Sequence, residues 1–137
     1  MTQAAGYSGR SAAAKLGIKD GSRLALWHAP SGWELEGLPG SVDVRHDLRG
    51  SRDVTVAFVR SSAELKRAAK QLERGLDDTG SLWIAWPRKA GGHVSDVTED
   101  LLREVMLPLG IVDVKVAAVD EDWSGLRFVR RKELRNT

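Results

Sequence analysis

The sequence predicts a three-layer α/β fold in which one mostly parallel β-sheet lies between helices. Apolar segments of strand length, rich in β-branched residues, alternate with segments whose apolar residues recur at helical spacing. The last two strand-like segments differ, because only the tight acidic turn at residues 120–124 separates them. That short connection predicts an antiparallel pair at the end of the chain.

The first elements follow a small, polar segment at residues 1–10, which we expect to be flexible. Ser11 is a favourable N-cap for a short helix through Leu16. The first strand is almost entirely apolar, which favours a central place in the sheet, whereas the second alternates and belongs near an edge. Strands are predicted at residues 23–27, 42–45, 53–60, 81–87, 111–119 and 125–131.

Two longer helices are predicted between these strands. Ser61 or Ser62 caps the first, and residues 77–80 end it. Asp96 is predicted to cap the second, which ends near Leu107 because Pro108 removes a backbone donor. Residues 33–38 form at most a short helix.

Right-handed crossovers then favour a Rossmann-like sheet of six strands in the order 2-1-3-4-6-5, closed by the C-terminal antiparallel hairpin. A plain hairpin would instead give 2-1-3-4-5-6. We expect one domain over residues 11–132, with a polar tail at residues 133–137.

Composition excludes several classes of function. The 137 residues include 21 basic and 19 acidic residues, a net charge of +2, so nothing requires nucleic acid as a partner. The chain has no cysteine, which rules out disulfides and thiolate chemistry. No apolar run has the roughly 20 residues that a membrane helix needs, and the N-terminus lacks a secretory pattern. We therefore expect a cytoplasmic protein.

Cationic and aromatic residues follow the predicted strands at one edge of the sheet. Ligands of open parallel sheets bind at the carboxyl ends of the strands, where the strand order reverses. The loop after the fourth strand adds two glycines that allow close approach of the backbone. We predict binding of an anionic small molecule or nucleotide by His28, Arg60, Trp86, Arg88, Lys89 and Trp123.

Other chemistries have weaker signals. His28, His46 and His93 lack a close metal-ligand spacing, so no metal site is predicted. Gly-x-Ser-x-Gly is absent, which argues against a serine hydrolase. The acidic run at residues 120–122 is typical of a solvated turn. The arginines of the last strand could contact nucleic acid or an acidic partner, but they are more typical of the solvated side of an edge strand, so nucleic acid is an unlikely partner.

Several motifs resemble an uncharacterised family of small bacterial proteins, a domain of unknown function, over residues 6–131. They are Gly6-Tyr7-Ser8-Gly9, Lys15-Leu16-Gly17-Ile18, Leu82-Trp83-Ile84-Ala85-Trp86-Pro87, Thr98-Glu99-Asp100 and residues 121–129. The strand pattern is also similar to a truncated form of the S-adenosylmethionine-dependent methyltransferase fold. Those enzymes follow their first strand with an acidic residue and a glycine-rich turn, whereas residues 28–33 here hold a proline and one glycine. This departure argues against cofactor binding in the usual place.

Three hypotheses about function follow. The first is a non-catalytic Rossmann-like module that binds an anionic small molecule or nucleotide. The second is a protein-interaction module without a ligand, which would use Trp33, Trp123 and the basic final strand. The third is a diverged methyltransferase-like protein. The sequence identifies no cofactor and leaves open whether the protein is an enzyme.

Overall fold

A computed structural model of the chain describes residues 11–134. The predicted flexible segment at residues 1–10 and the end of the tail lie outside the described residues. Three helices and six strands follow one another in the order α1, β1, β2, β3, α2, β4, α3, β5, β6. The helices are α1 Ala12–Lys15, α2 Ser62–Arg74 and α3 Glu99–Met106. The strands are β1 Arg23–Trp27, β2 Asp43–Arg45, β3 Arg52–Phe58, β4 Leu76–Pro87, β5 Ile111–Ala118 and β6 Trp123–Arg130.

The six strands form one sheet in the order β2-β1-β3-β4-β6-β5, which confirms the predicted topology. The first four strands run parallel, and β6 lies antiparallel between β4 and β5. β5 is an edge strand, and its register with β6 shifts between Asp113 and Lys115, so that Val114 is an extra residue. β4 therefore lies in the middle of the sheet, with β3 on one side and β6 on the other.

The sheet separates two hydrophobic clusters. On the first side, which we call the helical face, α2 and α3 cover alternate residues of β4 and β6 such as Ile84 and Phe128. On the opposite side, the loop face, the four-residue α1 and the segment after β1 cover Val56, Phe58 and Trp83. The Trp83 ring is fully buried, and its Nε1 donates to the Leu16 carbonyl oxygen at 3.0 Å. This bond ties α1 to the centre of the sheet.

The observed boundaries differ from the predicted ones in several places. β3 ends at Phe58 instead of Arg60, and β6 begins at Trp123, inside the predicted turn, instead of Gly125. β4 begins at Leu76, and residues 77–80 belong to this strand instead of ending α2. The helix already ends at Gly75, after which Leu76 pairs with Arg52. Residues 33–38 form turns and irregular backbone, with no helix.

Asp96 does not cap α3. That helix begins two residues later than predicted, because the Thr98 hydroxyl accepts the hydrogen bond from the Leu101 amide. Asp96 instead accepts hydrogen bonds from the backbone amide and hydroxyl of Ser62, at 2.8 and 2.7 Å. The aspartate thus joins the start of α2 to the segment before α3. Among residues 11–134, no helix has the length and apolar character needed to cross a bilayer.

Candidate functional site

The carboxyl ends of β1, β3 and β4 meet at one edge of the sheet, which we call the carboxyl edge. The strand order reverses here, since β1 has β2 on one side and β3 on the other. An open parallel sheet leaves a crevice at such a reversal, and ligands of this architecture bind there. All six predicted site residues lie at or near this edge, but the structure divides them into two groups.

His28 belongs to the first group and has an unusual backbone conformation. Its φ angle is 58°, in the left-handed region that L side chains rarely adopt. The imidazole stacks on the Trp27 ring, with 3.4 Å between the ring centroids and 10° between the planes. Its Nδ1 lies 2.9 Å from Oε2 of Glu64, in the first turn of α2. The side chain is half exposed, so the outer edge of the ring faces solvent.

Arg60 spans the crevice between the ends of β1 and β6. Its Nη2 donates to the His28 carbonyl oxygen at 3.0 Å. On the other side, its guanidinium carbon lies 5.3 Å from the centre of the Trp123 ring, a cation–π distance. The backbone amide of Arg60 also donates to Oε1 of Glu64 at 2.7 Å. The Arg60 side chain is therefore engaged by groups of the chain itself.

Glu64 is the acidic centre of this first group. Burial raises the pKa of its carboxyl, but hydrogen bonds from His28 and the Arg60 amide, with the charge of Arg60, outweigh burial and lower the pKa below its usual value. Glu64 is consequently ionised at neutral pH. Its two oxygens hold the imidazole of His28 and the backbone of Arg60 in fixed positions.

Three aromatic rings close the loop face of the crevice. Phe58, the last residue of β3, makes edge contacts with both Trp33 and Trp123, each with 4.9 Å between the ring centroids. Nε1 of Trp33 donates to Oδ2 of Asp120 at 2.8 Å. The other carboxylate oxygen of Asp120 accepts the amides of Asp122 and Trp123. The segment after β1 and the β5–β6 turn are thereby fastened over the end of β3.

The second group of predicted residues lines a cleft of about 320 Å³ beside the end of β4. Trp86 presents a narrow edge to it, with 8 % of the residue exposed. Arg88 and Lys89 contribute side chains that have no ion pair among the described residues. The remaining polar lining consists of Ser95, Thr98, Glu99 and Ser124.

The loop that carries these cations is fixed against the acidic turn. The Arg88 amide donates to the Asp122 carbonyl oxygen at 2.8 Å, and Nε2 of His93 lies 2.9 Å from Oδ1 of Asp122. Gly91 allows this close approach, because a Cβ there would lie 2.5 Å from the Glu121 carbonyl oxygen. Gly91 is therefore required for the packing of this loop, whatever contact it makes with a ligand.

A third cleft, of about 410 Å³, lies on the loop face of the same edge. Lys15 of α1, Arg88 and Trp33 contribute to its wall. Four carboxylates also line it, those of Glu34, Glu36, Asp120 and Glu121. Acidic residues outnumber the cations here, so this cleft suits an anion less well than the cleft beside Trp86.

The structure thus joins His28 and Trp123 through Arg60, with Glu64 bonded to His28 and Arg60, and places Trp86, Arg88 and Lys89 in a neighbouring cleft. Sequence reasoning missed Glu64 as part of the site, although it lies three residues after Ser61, a spacing that is typical of a capped helix start. His46 takes no part in either group. Within residues 11–134, no group of three or more histidine and acidic side chains could hold a metal ion.

Comparison with known proteins gives the fold a context. No family model and no curated protein sequence matches the chain. Solved structures do match, among them the ribosomal protein L11 methylase from Lactobacillus delbrueckii subsp. bulgaricus, with a TM-score of 0.58 and 13 % identity over 88 % of this chain and 75 % of that one. A TehB-like SAM-dependent methyltransferase from Corynebacterium glutamicum matches with a TM-score of 0.57 and 14 % identity over 88 % of both chains.

TrmN from Thermus thermophilus has a TM-score of 0.62 at 11 % identity, over 87 % of this chain. The present chain spans 47 % of the length of that protein. The fold is that of S-adenosylmethionine-dependent methyltransferases. At these identities the similarity establishes the architecture and leaves the function to be argued from the site.

Several side chains contact one another near the strand reversal of this chain. Arg60 reaches from the His28 carbonyl oxygen to the Trp123 ring, and Trp33 and Trp123 both contact Phe58. These residues lie at the edge where ligands of this architecture bind, and the Arg60 side chain is 45 % exposed.

Proposed function

We propose that this chain is a diverged, non-catalytic protein of the methyltransferase-like fold that binds an anionic small molecule or nucleotide in the cleft beside Trp86. One observation carries the proposal: Arg88 and Lys89 line the cleft and have no ion pair among the described residues. Arg60, by contrast, is held by His28, Glu64 and Trp123. The cations beside Trp86 are therefore the ones available to an incoming anion.

The charges around the cleft support an anionic ligand. Glu99 is the one acidic residue of its lining, and its Oε1 lies 3.0 Å from Nη2 of Arg103. That ion pair offsets its charge and leaves Arg88 and Lys89 in excess. Three hydroxyl groups, on Ser95, Thr98 and Ser124, add hydrogen-bonding capacity. A volume near 320 Å³ is at the small end of ligand sites, which favours a mononucleotide or a smaller anion.

The alternatives from the sequence have different degrees of support. The structural similarities favour the diverged methyltransferase-like alternative, because they establish that fold. The contacts of Arg60 with His28 and Trp123, near the strand reversal, argue against S-adenosylmethionine in the usual place. An interaction surface built on Trp33 and Trp123 has less support, since both indoles pack on Phe58 within the chain. Membership of the uncharacterised bacterial family and a cytoplasmic location stay predictions.

A thermal-shift and calorimetry experiment tests the proposal. We expect a mononucleotide such as AMP or GMP to raise the melting temperature of the wild type. At a hundred times its Kd a ligand stabilises the native state by about 2.7 kcal/mol. The double substitution Arg88→Ala and Lys89→Ala should abolish the shift.

The matched control removes two positive charges elsewhere. Lys70 and Arg74 lie exposed on α2 and line none of the clefts described above. Their double replacement by alanine should leave the nucleotide response unchanged. Equal loss in both double variants would mean unspecific electrostatic attraction, and a wild type that responds to none of the nucleotides would refute the proposal.

S-adenosylmethionine forms a separate arm of the same experiment. Saturable heat with this compound would support the methyltransferase-like alternative and would require the Arg60 bridge to open. We expect neither heat nor a thermal shift, since Arg60 contacts His28 and Trp123 near the strand reversal.

A further inference from the structure

A separate cleft of about 220 Å³ lies between the end of β1 and the first three turns of α2. Trp27 and His28 form one wall. The other comes from α2, where Glu64, Arg67 and Gln71 follow one another on the same side of the helix at spacings of three and four residues. Ala68, with 4 % of its surface exposed, lies between them and leaves room for a ligand.

His28 is held rigidly in this cleft. Three contacts fix it: the stack on Trp27, the hydrogen bond between Nδ1 and Glu64, and the bond from Arg60 to its carbonyl oxygen. Backbone conformations that are rarely populated persist only where the surroundings impose them, and they cluster at functional sites. The left-handed φ of His28 is such a case.

The hydrogen bond between Nδ1 of His28 and Glu64 also determines whether the other ring nitrogen, Nε2, is a donor or an acceptor. Because an ionised carboxylate accepts from Nδ1–H, the neutral imidazole carries its lone pair on Nε2. Nε2 has no partner among the described residues. Protonation of Nε2 would turn it into a donor, and Glu64 would balance the imidazolium charge.

Two further side chains with hydrogen-bond donors, those of Arg67 and Gln71 on α2, line the same cleft as His28. Arg67 and Gln71 are exposed, and neither side chain has a hydrogen bond or ion pair among the described residues. A guanidinium fork matches the geometry of phosphate oxygens and binds them by charge-assisted hydrogen bonds. The cleft thus places a guanidinium, an amide and a free imidazole nitrogen around one small volume.

We infer that this cleft is a second anion site, separate from the one beside Trp86, and that it takes a phosphate group held by Arg67 and Gln71 against Nε2 of His28. Phosphate suits the site better than a carboxylate does, because its three acceptor oxygens can meet the donors of Arg67, Gln71 and a protonated Nε2 of His28 together. The charged groups that face the imidazole are Glu64, Arg60 and Arg67.

The test follows the ring resonance of His28 by NMR while inorganic phosphate is added at constant ionic strength. We expect a saturable shift of this resonance as phosphate is added. Replacement His28→Asn assigns the signal and tolerates the left-handed conformation. A parallel titration with ribose 5-phosphate distinguishes free phosphate from a phosphate monoester.

Matched variants separate this site from its alternatives. Arg67→Ala should weaken phosphate binding about tenfold or more, because it removes a charged hydrogen-bond donor. Lys70→Ala removes the same charge from the same helix, outside the cleft, and should change the affinity by less than about twofold. The Arg88→Ala and Lys89→Ala protein should keep the His28 response.

The inference is overturned if the His28 signal fails to saturate, or if Arg67→Ala and Lys70→Ala weaken it equally. A response that disappears with Arg88 and Lys89 would place the phosphate in the cleft beside Trp86 instead. A wild type that responds to none of the nucleotides but keeps the saturable His28 response would refute the proposed function alone.

Discussion

At the scale of single residues, Gly125 determines how closely side chains of neighbouring strands pack on the loop face. This residue of β6 lies beside the buried ring of Trp83. A Cβ at this position would be 2.8 Å from Cγ2 of Val119 and 3.1 Å from Cε3 of Trp83. Its φ angle is not in the left-handed region, so the requirement for glycine is one of space alone.

We therefore predict that Gly125→Ala destabilises the protein. Overpacking of a core costs about 1–3 kcal/mol, because neighbouring side chains must leave their preferred positions. Urea unfolding followed by circular dichroism gives the change. Gly40→Ala is the control, since no atom lies within 4 Å of a Cβ built there. A Gly125→Ala protein as stable as the Gly40→Ala protein would show that the ring of Trp83 yields without cost.

The residues of the candidate site show what a sequence can predict. His28, Arg60 and Lys89 each follow a predicted strand. Because parallel strands end at the same edge of a sheet, this position alone was enough to place the three residues at one edge. It could not show that Arg60 is held by partners distant in sequence, at His28 and Trp123, whereas Lys89 is not. Whether a cation is free for a ligand depends on these tertiary contacts, which cannot be predicted from the residue type alone.

At the scale of elements, Asp96 links α2 to the segment before α3. The hydroxyl and then the amide of Ser62 donate to its carboxylate, and these bonds lower the pKa of Asp96 below its usual value. A carboxyl whose pKa is lower in the folded state stabilises that state above its unfolded pKa. This contribution is lost as the pH falls through the folded pKa.

Asp96→Asn should therefore flatten the acid side of the stability profile. Between about pH 5 and pH 3, the free energy of unfolding of the wild type should fall more steeply than that of the variant. Urea unfolding at a series of pH values measures both slopes. Glu104→Gln is the control, because this exposed carboxylate of α3 makes no side-chain hydrogen bond among the described residues. Parallel profiles for wild type and Asp96→Asn would contradict the prediction.

The elements themselves were largely predictable, and the exceptions have local causes. Strand order followed from alternation, crossover handedness and the short final turn. The early start of β4 was missed because residues 77–80 are polar and contain glycine, which is typical of a turn. Pairing of Leu76 with Arg52 extends the strand through them. Asp96 and Thr98 are both good N-caps, and only the contact with Ser62 decides between them.

At the scale of the whole molecule, both hydrophobic clusters lie against a single sheet. Trp86 belongs to the helical face and Trp83 to the loop face, although only three residues separate them in the chain. The same strands contribute side chains to both clusters. Because each cluster packs on the same sheet, unfolding of one would remove the surface on which the other packs. This arrangement fits the single domain predicted for residues 11–132.

We accordingly predict a single cooperative unfolding transition. Fluorotryptophan incorporation gives Trp83 and Trp86 separate ¹⁹F resonances, assigned by replacing each residue with phenylalanine. The native signals of both should disappear at the same urea concentration, together with the circular dichroism. Two separate midpoints would mean that the two faces unfold as independent units.

The bulge in β5 has a consequence for how copies of this molecule meet one another. β5 borders the sheet and exposes about half of Val114 and of Val116, an edge that invites strands of other chains to join. The extra residue at Val114 interrupts the row of backbone donors and acceptors near its middle, and Lys115 adds a charge beside it. A strand of another chain could therefore not form a long, regular row of hydrogen bonds with β5. We expect this interruption to disfavour aggregation through the edge of the sheet.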